Sequence, residues 1–352
     1  MSDRIRVLVV DDSAVVRHLV SELLAADPEL EVVGTAANGQ IALQKIDQLR
    51  PDVVTLDVDM PVLDGLGTLR AVRSERASLP IIMLSSLTTQ GASLTLDCLY
   101  HGATDYVTKP SASGVDAMER LRLDLVPKVK HFGRRMRPIS SSAWRGRVPA
   151  ADGPLPRGPA APVRAVVVAA STGGPNALSE LFGALPAPLR VPILVVQHMP
   201  PLFTRALAER LDGRGGLVIR EAADNAAAQA GEAWIAPGDF HLEGGPRLRV
   251  TQGPPENSCR PSADVLFRTA AAAWGAGVLG IVLTGMGQDG LKGARAIREA
   301  GGRLLVQDPK SSTVWGMPGA LVEAGLADHM LPPAGLAAEI ALRVGRVEGG
   351  RR

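Results

Sequence analysis

Three short apolar runs in the second half of the chain each lead into a residue type that a serine hydrolase needs. These residues are Ser171, His198 and, within a glycine-rich loop, Asp289. If the runs are parallel strands of one α/β sheet, their carboxyl ends lie along one edge, where such folds bind their ligands. A nucleophile, a general base and a carboxylate that orients the base could then meet there.

Each of the three residues also has a purely structural interpretation. Ser171 precedes a Thr-Gly-Gly turn and could cap a helix. His198 could be a structural histidine, and Asp289 could stabilise a turn. The joint placement at three strand ends favours a triad, in which His198 takes the proton of Ser171 and Asp289 stabilises the charged imidazole.

The first third of the chain carries a second polar cluster. Asp11 and Asp12 follow its first apolar run, Asp57 follows the third, Ser85 the fourth and Lys109 the fifth. Three carboxylates at one sheet edge repel one another, and a divalent cation such as Mg²⁺, which prefers oxygen ligands, relieves that repulsion. The alternative is that these aspartates cap helices and turns. Their occurrence at the ends of several strands favours a common site.

Length and composition narrow the class of protein. A chain of 352 residues exceeds what one hydrophobic core usually serves, and this predicts two domains. The 38 basic and 36 acidic residues nearly balance, so charge does not indicate nucleic acid or an anionic membrane as the main partner. Without a signal peptide or a membrane-spanning run, we expect a cytoplasmic protein. Cys98 and Cys259 are too isolated for a disulfide framework or a metal site, and we expect both thiols to be buried.

Alternating apolar runs and amphipathic segments predict a doubly wound (βα)5 domain over residues 1–127. The predicted strands are 6–10, 31–36, 53–56, 81–84 and 105–107, and predicted helices include 13–26, 40–50, 65–74 and 93–101. Residues 128–162 are rich in Pro, Arg and Ser and predict a flexible linker. A second doubly wound, mainly parallel α/β domain is predicted over residues 163–346, and a disordered tail over 347–352.

The N-terminal pattern resembles a response-regulator receiver domain over residues 4 to about 126. The positions that this resemblance implies are the phosphoacceptor Asp57, the metal ligands Asp11, Asp12, Asp57 and Asp59 (the last through its main-chain carbonyl), the phosphoryl contact Lys109, and the switch residues Ser85 and Tyr106. Phosphorylation adds about −1.5 to −2 charges, which can reorder neighbouring loops.

The C-terminal motifs are similar to those of the chemotaxis protein-glutamate methylesterase (CheB) family. They are Ser171-Thr172-Gly173-Gly174, Gln197-His198-Met199-Pro200 and residues 235–241, 260–267 and 283–290. The resemblance implies the triad Ser171, His198 and Asp289, with main-chain N–H groups near Thr172 and Met286 as oxyanion donors. We expect structural roles for His241 and residues 261–264, and we expect Trp315 to line or pack the cleft.

Together the two resemblances imply a phosphorylation-activated serine hydrolase in chemosensory adaptation. Such an enzyme demethylates glutamate γ-methyl esters on methyl-accepting chemoreceptors, releases methanol and deamidates receptor glutamines. Catalysis would need no cofactor, whereas receiver phosphorylation would need Mg²⁺ and a histidine kinase as phosphodonor. We expect a monomer that neither binds nucleic acid nor inserts into membranes.

Two alternatives remain open from the sequence. The chain could be a phosphorylation-controlled binding module with an inert pocket, or the same esterase could serve a chemosensory pathway other than motility. A DNA-binding response regulator would need a basic recognition helix, whereas the second half offers triad-type strand ends. Two departures from the receiver pattern are Val62-Leu63, where a second methionine is frequent, and Asp59, where glutamate is common.

Overall fold

The computed structural model describes residues 4–109, 115–135, 161–186 and 189–344. The chain divides into two compact units, Met1–Gly146 and Arg147–Arg352. None of the described helices combines the length and the apolar character needed to span a membrane.

The N-terminal unit is a five-stranded parallel sheet with helices between successive strands. Its elements are β1 (Ile5–Val10), α1 (Ala14–Ala25), β2 (Leu30–Ala36), α2 (Gly39–Leu49), β3 (Val53–Asp57), α3 (Gly65–Glu75), β4 (Ile81–Ser85), α4 (Thr89–Tyr100), β5 (Asp105–Thr108) and α5 (Val115–Arg135). The predicted strands and helices agree with these bounds to within four residues. The strand order is β2-β1-β3-β4-β5, which is that of a doubly wound fold.

This strand order determines where the polar cluster of the first unit lies. Strands β2 and β3 lie on opposite sides of β1. The order in which the chain adds strands to the sheet therefore reverses at the position between β1 and β3. Ligands of doubly wound sheets bind at such a reversal, beyond the carboxyl ends of the strands. Asp11 directly follows β1 and Asp57 ends β3, so both lie at that position.

Helix α5 is longer than the sequence pattern suggested. It continues to Arg135, so the predicted linker start at residue 128 is too early. Val129 and Phe132 are buried, and Lys130 pairs with Asp27 at 2.9 Å. The apolar residues of this last stretch therefore belong to the core, although basic residues surround them. The remainder of the predicted linker up to residue 160 and the predicted tail lie outside the described residues.

The C-terminal unit contains a seven-stranded sheet in which every neighbouring pair is parallel, with the order β14-β13-β12-β6-β7-β9-β8. The elements are β6 (Ala165–Ala170), α6 (Gly174–Ala184), β7 (Ile193–Gln197), α7 (Phe203–Leu211), β8 (Val218–Glu221), β9 (Glu232–Ile235), β10 (His241–Glu243), β11 (Arg249–Thr251), α8 (Ala263–Trp274), β12 (Val278–Val282), α9 (Leu291–Glu299), β13 (Arg303–Gln307), α10 (Met317–Glu323), β14 (His329–Leu331) and α11 (Pro333–Val344). Strands β10 and β11 form a separate antiparallel hairpin.

The centre of this sheet explains its apolar sequence. Strands β6, β7 and β12 are buried along their whole length because helices cover both faces. Such strands show continuous apolar runs rather than alternation, and their first polar residues appear where the chain leaves the sheet. The predicted mainly parallel α/β domain is confirmed.

Candidate active site and phosphorylation site

Sheet register brings the candidate triad to one edge of the second unit. Strands β6 and β7 pair in parallel with Ala170 opposite Gln197, so Ser171 and His198 are the next residues of neighbouring strands. The His198 N–H donates to the Ala170 carbonyl at 3.0 Å. On the other side of β6, the Ser171 N–H donates to the carbonyl of Thr284, in the loop after β12.

His198 and Asp289 form a close pair. The distance between His198 Nε2 and Asp289 Oδ2 is 2.8 Å, and the Asp289 side chain is only 3% exposed. Four further donors hold the carboxylate: Ser262 Oγ at 2.7 Å, Asn257 Nδ2 at 2.7 Å, the Ala263 N–H at 2.6 Å and the Asp264 N–H at 3.4 Å. A buried carboxylate with this many donors is fixed in orientation, and it fixes the imidazole ring in turn.

The pairing decides which imidazole nitrogen can act as a base. Because the Asp289 carboxylate accepts from Nε2, the neutral form of the ring keeps its proton on Nε2 and carries its lone pair on Nδ1. Nδ1 lies 3.7 Å from Cys259 Sγ. Within the described ranges, no hydrogen bond joins the Ser171 hydroxyl to the imidazole. In ligand-free enzymes such contacts often tighten only when substrate binds.

The electrostatics of the pair favour an ionised aspartate. Burial raises the pKa of Asp289. The hydrogen bond and charge of His198, together with the Ser262 and Ala263 donors, lower that pKa by a larger amount, so its net shift is downward. For His198, burial lowers the pKa, while the Asp289 carboxylate and the Cys259 sulfur raise it, and the net direction is up. An ionised Asp289 beside His198 favours the protonated form of the imidazole.

The backbone around Ser171 is tightly packed and rich in glycine. Gly173 has φ +77°, a left-handed conformation that favours glycine, and α6 begins at the next residue. A Cβ on Gly285 would lie 2.9 Å from Ser171 Cβ and 2.3 Å from Met317 Sδ. The loop after β12 thus lies directly against Ser171.

The expected oxyanion donors lie in these two segments, next to Ser171 and in the loop after β12. Thr172 is buried, and its carbonyl accepts from Thr284 Oγ1 at 2.9 Å. The N–H of Met286 has no hydrogen-bond partner among the residues that the structure describes. Such an N–H beside Ser171 is what an oxyanion hole requires. The assignment to Thr172 and Met286 stays a prediction.

The sequence analysis missed several residues that support the site. Ser262 was expected only to start a helix; it does cap α8, but its hydroxyl also donates to Asp289. Asn257 was not considered. Gln197 donates from Nε2 to the Ser171 carbonyl at 2.9 Å. Ser262 and Gln197 both lie inside motifs that the sequence analysis singled out, and membership of those motifs could have identified them as site residues.

Cys259 also differs from expectation. Cys98 is buried as predicted, but Cys259 is partly exposed and contacts His198, so that prediction is wrong for this thiol.

His241 has the structural role expected of it, because it is buried, accepts from the Ser262 N–H and bonds the Pro254 carbonyl. Trp315 donates from its indole to the carbonyl of Gln307 at 3.0 Å.

Substituting Ser262 with alanine should weaken the site without removing a reacting group. The substitution deletes one hydrogen bond to a charged carboxylate, worth about 1.5 kcal/mol, so we expect kcat for ester hydrolysis to fall roughly tenfold. Loss of the α8 cap should also lower the free energy of unfolding by about 1 kcal/mol. Ser262→Thr should restore both values, and an unchanged kcat in the alanine variant would show that Ser262 only caps the helix.

The first unit has its own polar cluster at the carboxyl ends of β1, β3 and β5. Lys109 Nζ lies 2.6 Å from Asp11 Oδ2 and 2.8 Å from Asp57 Oδ1. One carboxylate oxygen from each of Asp11, Asp12 and Asp57 lies within 4.8 Å of the others. Three carboxylates and one ammonium leave an excess of negative charge and an all-oxygen donor set, and this combination fits Mg²⁺.

Asp57 is a buried carboxylate beside an open cavity. Its residue is 4% exposed, and burial raises its pKa to about 6 although Lys109 acts in the opposite direction. A cavity of about 270 Å³ next to it is lined by Asp12, Asp59 and Lys109 among other residues. Its volume and its ammonium group suit a phosphoryl group.

The two expected switch residues are both buried. The Ser85 hydroxyl donates to the carbonyl of Gly91 at 3.2 Å and accepts from Thr95 Oγ1 at 2.7 Å, whereas Ser86 lines the cavity. Tyr106 is 7% exposed, and Lys128 Nζ lies 5.5 Å from the centre of its ring. The roles of Ser85 and Tyr106 remain predictions.

Comparison with known proteins matches a family model to each of the two units. The family model described as CheB methylesterase matches residues 166–340, and the one described as response regulator receiver domain matches residues 7–120. A protein-glutamate methylesterase/protein-glutamine glutaminase from Nocardioides sp. is 53% identical, with 97% of this chain and 96% of the relative covered. The protein of the same name from Trichodesmium erythraeum is 47% identical, with 97% and 99% covered.

A solved structure, the Thermotoga maritima CheB methylesterase catalytic domain, is 37% identical and covers 51% of this chain and 98% of that chain, with a TM-score of 0.49. The full-length relatives carry the family assignment, because they match both units in one chain. The chain therefore belongs to the CheB family of protein-glutamate methylesterase/protein-glutamine glutaminases, with a response-regulator receiver domain in its N-terminal unit.

Proposed function

We propose that this protein is a phosphorylation-activated serine hydrolase that removes methyl groups from glutamate γ-methyl esters of methyl-accepting chemoreceptors and deamidates receptor glutamines. The observation that carries the hydrolase is the buried Asp289 carboxylate, bonded to His198 at 2.8 Å beside the strand end of Ser171. The family membership carries the substrate class. We further propose that the enzyme acts in the cytoplasm as a monomer.

The chemistry follows from the positions of three groups. Ser171 Oγ attacks the γ-carbonyl carbon and its proton passes to His198 Nδ1, the nitrogen that Asp289 leaves free. Backbone N–H groups hold the tetrahedral oxyanion. The imidazolium then protonates the methoxide that leaves as methanol, and water hydrolyses the acyl-enzyme by the reverse proton path. With a glutamine substrate, ammonia is the leaving group.

The site favours this function over an inert binding pocket. Burying an ionised carboxylate is costly unless hydrogen bonds and an opposite charge compensate for it. Here Ser262, Asn257 and backbone N–H groups all support Asp289, and its carboxylate orients the imidazole of His198. A pocket that merely binds a ligand has no need for an oriented histidine beside a serine.

For the first unit, we propose that Asp57 accepts a phosphoryl group from a histidine kinase. Asp11, Asp12, Asp57 and the main-chain carbonyl of Asp59 would hold Mg²⁺, which neutralises phosphoryl oxygens when bound. Lys109 already bridges Asp11 and Asp57, and it is placed to contact the added phosphoryl oxygens. Phosphorylation adds negative charge in this cavity and can reorder the loops around it.

Methanol release from methyl-esterified receptor helices tests the proposal. The native protein should release methanol from the methylated helices and should release none from unmethylated helices. The same helices with glutamine at the modified positions should release ammonia. No methanol from any methylated receptor helix would contradict the esterase assignment.

Substituting Asp57 with asparagine should abolish stimulation by a small acyl phosphate. Asparagine cannot form the acyl phosphate, so the ratio of methanol release with and without the donor should fall to one. Asp59→Asn is the matched control, because the expected contribution of Asp59 is its main-chain carbonyl, and this variant should keep a ratio above one. Stimulation of the Asp57 variant equal to that of the native protein would place the phosphoacceptor elsewhere.

A further inference from the structure

A sulfur ligand lies next to the free nitrogen of the catalytic histidine. Cys259 Sγ and His198 Nδ1 are 3.7 Å apart, although 61 positions separate the two residues in the chain. One ligand atom from each of His198, Cys259 and Asp289 lies within 4.8 Å of the others. His198 and Cys259 are both partly exposed, so an ion from solvent can reach them.

The separation of the two atoms matches a tetrahedral zinc ion. With Zn–S of about 2.3 Å and Zn–N of about 2.0 Å, a tetrahedral angle places the sulfur and the nitrogen about 3.5 Å apart. The observed separation of 3.7 Å is close to this spacing, so a shared ion needs only small movements of the two side chains. Thiolate and imidazole together select zinc and similar thiophilic cations over Mg²⁺.

Asp289 completes the geometry from the opposite side of the ring. Histidines that bind zinc through one nitrogen usually donate the other N–H to a carboxylate, which fixes the tautomer and raises the basicity of the ligand. Asp289 accepts from Nε2 at 2.8 Å and leaves the Nδ1 lone pair facing Cys259. The arrangement that prepares His198 as a base also prepares it as a metal ligand.

We propose that His198 Nδ1 and Cys259 Sγ form an inhibitory binding site for a thiophilic divalent cation of the zinc class. Cys259 loses its proton to solvent on binding, and water completes the coordination shell. The bound ion occupies the nitrogen that would take the proton of Ser171, so metal binding and ester hydrolysis exclude each other. The inhibition rests on the proposed esterase function, whereas the binding rests on the geometry alone.

Cobalt binding tests the site without any use of activity. Adding Co²⁺ to the full-length native protein should produce the near-ultraviolet absorption of a thiolate–cobalt bond, and Zn²⁺ should displace it. Cys259→Ser should lose this absorption. Cys98→Ala removes the other, fully buried thiol and should retain it. Absorption that persists in Cys259→Ser, or none in the native protein, would overturn the proposal.

A second variant tests the role of the carboxylate. Asp289→Asn keeps both ligand atoms but removes the group that orients the ring, and it should weaken cobalt affinity by about 10- to 100-fold. Equal affinity in this variant and in the native protein would show that the ion does not use the oriented Nδ1.

Methanol release tests the inhibition. Zn²⁺ should lower the rate of the native protein, and a chelator should restore it. The zinc concentration for half inhibition, measured against each variant's own metal-free rate, should rise on the order of tenfold or more in Cys259→Ser and stay unchanged in Cys98→Ala. Equal zinc sensitivity of the native protein and Cys259→Ser would overturn the inhibitory role. Cobalt binding by a protein that never releases methanol would contradict the esterase and leave the metal site standing.

Discussion

Replacing Ser171 with alanine is expected to lower methanol release by about 10⁴- to 10⁶-fold, the range typical of serine-hydrolase nucleophiles. The hydroxyl is the group proposed to form the acyl-enzyme, and a methyl group cannot replace it. The residual rate would come from water in a site that still holds an oxyanion. The structure argues that the change is local, because the described residues show no hydrogen bond from the Ser171 hydroxyl that folding would lose.

Ser179 provides the matched control for this prediction. It lies in the second turn of α6, the helix that follows Ser171, and its side chain is partly exposed. Ser179→Ala should keep methanol release within about twofold of the native rate, since surface changes rarely exceed ±0.5 kcal/mol. A Ser171→Ala variant that still folds and releases methanol at the native rate would rule out nucleophilic catalysis by this residue.

Replacing Asp289 with asparagine should cost about 10⁴-fold in kcat, because an amide can stabilise the wrong imidazole tautomer and cannot balance the imidazolium charge. The pH profile should change as well. His198 must be neutral to accept a proton, so the rate rises with pH through its pKa, which lies above the ordinary 6.5 in the native protein. Without the carboxylate that pKa should fall, and the acid limb of the profile should move to lower pH.

Asp308 is a suitable comparison for the Asp289 variant. It directly follows β13 in the same sheet and accepts backbone N–H groups from Lys310 and Ser311, but it belongs to the turn after that strand. Asp308→Asn should leave the acid limb in place. If Asp289→Asn retains the native pH profile while thermal unfolding shows an intact fold, then Asp289 does not set the protonation of His198.

Much of the fold was predictable because central strands of a parallel sheet are short, apolar and bounded by turn residues. Continuous apolar runs such as 166–170 and 193–196 are typical of such strands in a chain of alternating strands and helices. The end of α5 was less predictable. Its last turns carry mostly basic residues, and only the packing of Val129 and Phe132 shows that they belong to the core.

The sequence by itself determined the residue types at the strand ends, and a parallel sheet then collects them along one edge. That is why the sequence alone groups Asp11 with Asp57 in the first unit and Ser171 with His198 in the second. Only the tertiary structure decided which atoms of these groups meet. Asp289 bonds Nε2 rather than Nδ1, and Ser262 and Asn257 hold its carboxylate.

The contact between Cys259 and the free nitrogen of His198 was likewise beyond the sequence. The physical reason is that periodicity and turn signals report the local chain, whereas a hydrogen bond depends on where two loops cross. The loop before α8 and the strand end of β7 are far apart in sequence, and their side chains meet through the packing of the helices and strands between them.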